Sequence, residues 1–145
     1  RAVRSLSAGA ALAFFTVVLG GLVAKYPGGA VACPSFPLCG DLPAGVAAGA
    51  AHVQVAHRAL AFLLAFHIVA VTSAISRRPG ESRAAIAAAK VAMGLILLQI
   101  AIAAMMVLAT LPPALRSAHQ AVGVGVWLAM FLATYLAKTS AATAR

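Results

Sequence analysis

Polar positions along this chain fall into short clusters, and long apolar stretches lie between them. Four such stretches run over residues 5–23, 47–76, 84–111 and 118–137. Each is close to or longer than the roughly 20 residues a helix needs to cross about 30 Å of hydrocarbon. A strand left open in lipid would leave its backbone groups unpaired, so the pattern predicts helices. The predicted fold class is all-α, an integral membrane four-helix bundle. The four spans fill the chain and leave no room for a separate soluble domain, so residues 1–145 read as one transmembrane domain.

Helix punctuation marks the boundaries. Pro43 follows Asp41 and is expected in the first turn of the second helix, where proline is tolerated. Gly45 and Gly49 suggest instead that the start of this long segment is a separate turn or an extension beyond the bilayer. Pro79, Gly80, Glu81 and Ser82 part the second and third spans, with Ser82 a candidate cap. Pro112 and Pro113 are expected to end the third helix and begin the fourth.

Composition agrees with this reading. The chain is 63% hydrophobic and 9% charged, where a soluble domain is typically about 25% charged. It carries 11 Lys/Arg against 2 Asp/Glu, a net charge of +9. The basic residues are scattered among apolar runs and form no patch, which argues against nucleic-acid binding. Their placement sets an orientation instead. Arg1, Arg4, Arg77, Arg78, Arg83, Lys90, Lys138 and Arg145 fall on one side, against Lys25, Arg58 and Arg116 on the other. Both termini are therefore expected in the cytoplasm and the 25–45 loop outside. The localisation that follows is the cell membrane, as a multi-pass protein surrounded by lipid.

Histidine supplies the candidate chemistry. Spans two and four run in the same direction, with His57 early in one and His119 early in the other. Both should sit at similar depth in the outer half of the bilayer. Two imidazoles facing each other across a bundle suit a haem iron, which accepts axial ligands from opposite sides. Each could instead hydrogen-bond a neighbouring helix. His67 lies ten residues past His57, about 15 Å deeper, and cannot join the same iron. His52 is expected at the outer interface. Gln54 precedes His57 by three residues and shares its helix face. Arg58, Lys25 and Arg116 are outer-side cations able to pair with haem propionates or to anchor at the interface. Gln99, central in span three, needs a partner inside the bundle. Gly123 and Gly125 either leave room for a flat macrocycle or let helices touch.

Cys33 and Cys39 stand in VACPSFPLCG on the expected extracytoplasmic side, where disulfides persist. Pro34 and Pro37 favour a compact turn. A disulfide is the expected state, serving either as a staple for the loop or in redox chemistry.

The stretches GGLVAKYPGGAVACPSFPLCG, QVAHR and LLQIAIAAMMVLATLPPALRSAHQ resemble the membrane-bound haem A synthases over most of the chain, from about Gly20 to Gly125. Those enzymes have eight spans in two four-helix halves, each with a histidine pair, and this chain resembles a single half. Both its ends lie outside its spans, so a compact form is expected rather than a fragment. The resemblance implies oxidation of the haem O methyl substituent to the formyl group of haem A. It carries the iron-ligand role onto His57 and His119 and an outer-loop disulfide onto Cys33 and Cys39. It implies haem b as cofactor and haem O as substrate. A catalytically implicated family glutamate falls at Gln54, which cannot ionise, and Phe36 stands where the loop commonly has Trp. In this reading Arg58 and Lys25 pair with propionates. One histidine pair per copy implies a homo-oligomer, and the substrate implies a haem O synthase as a possible partner. The competing function is a non-enzymatic b-type cytochrome or haem carrier, for which one bis-histidine site suffices. A small transporter or structural subunit is disfavoured, because Asp41 and Glu81, the only acids, both fall in loops.

Overall fold

The computed structural model describes residues 2–143. Arg1 and Arg145, two of the charges counted for orientation, lie outside the described residues. Four helices follow one another: α1 over Ala2–Lys25, α2 over Ala48–Ser76, α3 over Arg83–Leu108 and α4 over Pro113–Thr143. No strand occurs among the described residues. All four helices are long and apolar enough to cross a membrane. The fold is an all-α membrane bundle, and the protein is a multi-pass membrane protein.

Local chemistry explains where the helices stop and start. Pro43 does not enter α2, contrary to expectation. Gly45 just after it has φ +79°, a left-handed conformation that glycine adopts freely and that interrupts a helix. The helix starts only at Ala48. Ser82 does cap α3, its hydroxyl accepting from the Ala85 N–H at 3.3 Å. α3 ends three residues short of the expected 111. Pro112 disfavours helical backbone at Leu111, and Thr110 and Leu111 turn left-handed at φ 58° and 63°. The Leu111 N–H then bonds the Met106 carbonyl at 2.8 Å, and the Thr110 N–H bonds Val107 at 3.2 Å. This is the paired closure of a Schellman motif, made without the usual glycine. α4 begins at Pro113, as expected of a proline at a first turn.

The helices pack in a ring. α1 lies against α2 and α4, and α3 lies against α2 and α4. α2 and α4 therefore stand diagonally across the bundle, as do α1 and α3. Packing differs between its two ends. In the half holding the start of α1 and the end of α4, the core is closed by Leu6, Ile68 and Met130, with Ala89 and Ala133 fully buried beside them. Small side chains let backbones approach in lipid, where no hydrophobic drive brings helices together. Phe15, Leu63 and Phe66 face outward, the last 75% exposed, as a lipid-facing surface requires. At the other end, which carries the 26–47 loop, the helices enclose a cavity instead.

Candidate functional site

The cavity holds about 370 Å³, within the range of small-molecule and cofactor sites. Its wall is mostly apolar, from residues such as Ala13, Leu64, Ile96 and Val126, with a few polar groups. Those groups come from all four helices: Thr16 from α1, Gln54, His57 and Arg58 from α2, Gln99 from α3, Arg116, His119 and Gln120 from α4. His57 and His119 therefore reach one space from diagonal helices. They lie nine and six residues into α2 and α4, about 14 Å and 9 Å along the two axes.

Each imidazole is shaped by its neighbours. Gly20 on α1 faces the His57 ring, and a Cβ there would stand 2.9 Å from His57 Cε1. Glycine at this position leaves the volume that the ring occupies. The buried Nδ1 atoms of His57 and His119 make no well-formed hydrogen bond. Gln99 holds the other ring from α3. Its Nε2 donates to the His119 carbonyl at 2.8 Å and lies 3.4 Å from His119 Nε2. A carbonyl only accepts, so the amide nitrogen must face it and the amide oxygen must point away. That oxygen is buried without a partner. Gly123 packs on this amide, a Cβ there falling 3.1 Å from Gln99 Nε2.

Gln54 is only 7% exposed and lines the cavity. Among the described residues its amide has no hydrogen bond to the protein. A buried polar side chain usually has a partner, and this amide has none in the protein.

The 26–47 loop closes one end of the cavity. Cys33 and Cys39 form a disulfide, with Cα atoms 4.2 Å apart. Arg58 secures the turn between them. Its Nη1 donates to the carbonyls of Ser35 at 2.6 Å, Leu38 at 2.8 Å and Pro37 at 3.1 Å, and its Nη2 to that of Cys33 at 2.9 Å. The guanidinium also lies 5.8 Å from the Phe36 ring centroid, and Phe36 packs on Phe62 at 6.2 Å. Phe36 thereby becomes part of the cavity wall.

The predicted residues separate into three groups. His57, His119, Gln54 and Arg58 come together at the cavity, with the disulfide loop beside them. Lys25 does not: it is exposed at the end of α1 and does not line the cavity. His52 is exposed, and His67 is committed elsewhere, its Nε2 donating to the Ser5 carbonyl at 2.9 Å. Sequence reasoning missed the role of Gly20 and the clamp made by Arg58. The Gly-Gly pair of span one was the available signal for the first. The second has no sequence signature, because backbone carbonyls are its partners.

The cavity suits a haem. It offers two histidines from opposite sides in an apolar surround. No group of three or more His, Cys, Asp or Glu among the described residues could hold a bare metal ion, and the pair His57 and His119 would suit a metal carried within a cofactor. A family model described as cytochrome oxidase assembly protein (COX15-CtaA) matches residues 1–131. No curated protein and no solved structure matches the chain.

Proposed function

We propose, given that this chain belongs to the cytochrome oxidase assembly protein family, that of the membrane-embedded haem A synthases, that it binds haem between His57 and His119 and oxidises the methyl substituent of haem O to the formyl group of haem A. Its role in cytochrome oxidase assembly and haem A synthesis comes with the family. The observation that carries the finer reading is the pair of histidines on diagonal helices, both lining one apolar cavity.

Bound iron would supply redox chemistry at the macrocycle. The chain supplies the rest. His57 and His119 would hold the metal, and outer contacts fix a ligating ring: Gly20 gives His57 its space, and Gln99 braces His119 from α3. Phe36 and the apolar wall keep bulk water from the ring. Gln54 offers a neutral amide to a polar group of the ligand. Turning a methyl into a formyl group takes an oxygen atom from water and releases electrons and protons, which must leave to an acceptor beyond this chain. Haem b is the proposed cofactor and haem O the proposed substrate, with a haem O synthase as the supplying partner. A homo-oligomer would bring two such cavities together.

The termini are proposed to be cytoplasmic. Arg4, Arg77, Arg78, Arg83, Lys90 and Lys138 lie at the closed end of the bundle, against Lys25, Arg58 and Arg116 at the loop end, and the disulfide suits an oxidising compartment.

A b-type cytochrome or haem carrier is the second reading, and Gln54 favours it. No carboxylate lines the cavity, and an amide cannot exchange a proton as an acid or base at ordinary pH.

The deciding experiment purifies the protein from cells with and without a haem O synthase, then extracts the haem for chromatography and mass spectrometry. Haem A, or its alcohol precursor, appearing only with haem O supports the synthase reading. Unchanged haem O or haem b, with an electron acceptor supplied, rejects it in favour of the cytochrome.

A further inference from the structure

Three cations stand at the loop end of the bundle, and the structure gives them different duties. Arg58 is committed. Four loop carbonyls accept from its two terminal nitrogens, and Phe36 lies beside its guanidinium. A guanidinium has five N–H donors in a fixed fork, and little of this one is left to bind anything else. Lys25 is outside the cavity wall. Arg116 is exposed like Lys25 but, unlike Lys25, also lines the wall, and its side chain makes no hydrogen bond or ion pair among the described residues. It stands three residues before His119 on α4, on the same helix face and about 4.5 Å nearer the loop end. The end of α3 and the turn after it line the same cavity with the apolar Met106, Val107 and Leu111, and Gln120 follows Arg116 by four residues on α4. The protein provides no anion for it: Asp41 and Glu81 are the only acids in the chain, and neither lines the cavity.

An unpaired cation at the rim of an apolar cavity fits a ligand with an apolar body and an anionic end. We propose that Arg116 binds a carboxylate of that ligand, a haem propionate, and so holds the carboxylate edge of the macrocycle toward the loop end. This assignment rests on the haem reading above, and it moves the propionate contact from Arg58 and Lys25 to Arg116. The fork geometry of arginine matches a carboxylate through two parallel hydrogen bonds, which a lysine cannot reproduce. Beside His119, the contact would orient the ring about the iron. Arg58 acts on the ligand only indirectly, by keeping the disulfide turn and Phe36 in place.

Haemin and its dimethyl ester separate the possibilities, because esterification removes the carboxylate charge and leaves the macrocycle. Both are titrated into haem-stripped full-length protein in detergent, using wild type, Arg116→Gln and Arg116→Lys. Wild type should bind haemin about tenfold more tightly than the ester, the range of a hydrogen bond to a charged group. Arg116→Gln should abolish that preference by weakening haemin alone, with the ester's affinity and low-spin spectrum unchanged. Arg116→Lys should restore part of it. Equal weakening of haemin and ester in Arg116→Gln would make the residue structural and overturn the proposal. Unchanged haemin affinity with weaker retention of anionic phospholipid would assign the cation to a lipid phosphate and overturn it too. Absence of low-spin haem binding in wild type would overturn the haem reading itself, and this assignment with it.

Discussion

At the scale of single residues, the site depends on what lies behind each imidazole. His57→Ala and His119→Ala should each lower bound haem per protein by more than about tenfold, beyond the cost of losing an outer partner, while membrane insertion stays normal. Full haem retention in either variant, read by absorbance and pyridine haemochrome, would remove that residue as a ligand. Gly20 offers a subtler probe. A Cβ at 2.9 Å from His57 Cε1 forces the ring to shift, so Gly20→Val should lower haem occupancy without touching a ligand. Gln54 tests the ligand's polar contact. Gln54→Leu keeps the volume and removes the amide, and the loss of one hydrogen bond should weaken haem binding by about fivefold. An unchanged affinity would show that the amide contacts nothing on the ligand.

At the scale of elements, two connections carry the positioning. The first is the disulfide turn, held from α2 by Arg58 through backbone carbonyls. Arg58→Leu should release it. The expected outcome is faster proteolysis in the 26–47 loop with the four helices intact, and rates equal to wild type would show that the disulfide alone orders the loop. The second is the end of α3, where Thr110 adopts a left-handed φ of 58°. A side-chain-bearing residue there costs roughly 1 kcal/mol relative to glycine. Thr110→Gly should therefore raise the thermal midpoint in detergent by a few degrees, and a lower midpoint would contradict the left-handed assignment. Both elements border the cavity, through Phe36 in one case and Leu111 in the other.

At the scale of the whole molecule, the bundle divides its length between stability and chemistry. Alanine, 38 of the 145 residues, closes one half through contacts such as Ala85, Ala89 and Ala133. The other half forgoes that packing to keep its cavity. Orientation and assembly are testable at this scale. A fluorescent protein fused after α4 should fluoresce in the cytoplasm, and alkaline phosphatase inserted in the 26–47 loop should be active; the reverse pattern would invert the topology. Native mass spectrometry from detergent should give more than one chain per particle, and haem A formation by a purified monomer would refute the need for two cavities.

Four helices and their approximate limits were legible in the chain, because lipid imposes a length and an apolarity that composition alone reveals. The cysteine pair was legible for a similar reason, since close spacing in a short loop constrains it. The ring order of the helices was not. α2 and α4 stand on the diagonal because of side-chain fit along every seam, and no periodicity records that choice. Nor did the chain assign its outer cations. Arg58, Lys25 and Arg116 are equivalent as charges in a loop-side count, yet Arg58 is bound to carbonyls, Lys25 faces outward and Arg116 borders the cavity. Charge is a property of a residue and can be counted along a sequence. A hydrogen-bond partner 20 or more residues away, or a void between helices, exists only once the chain has folded.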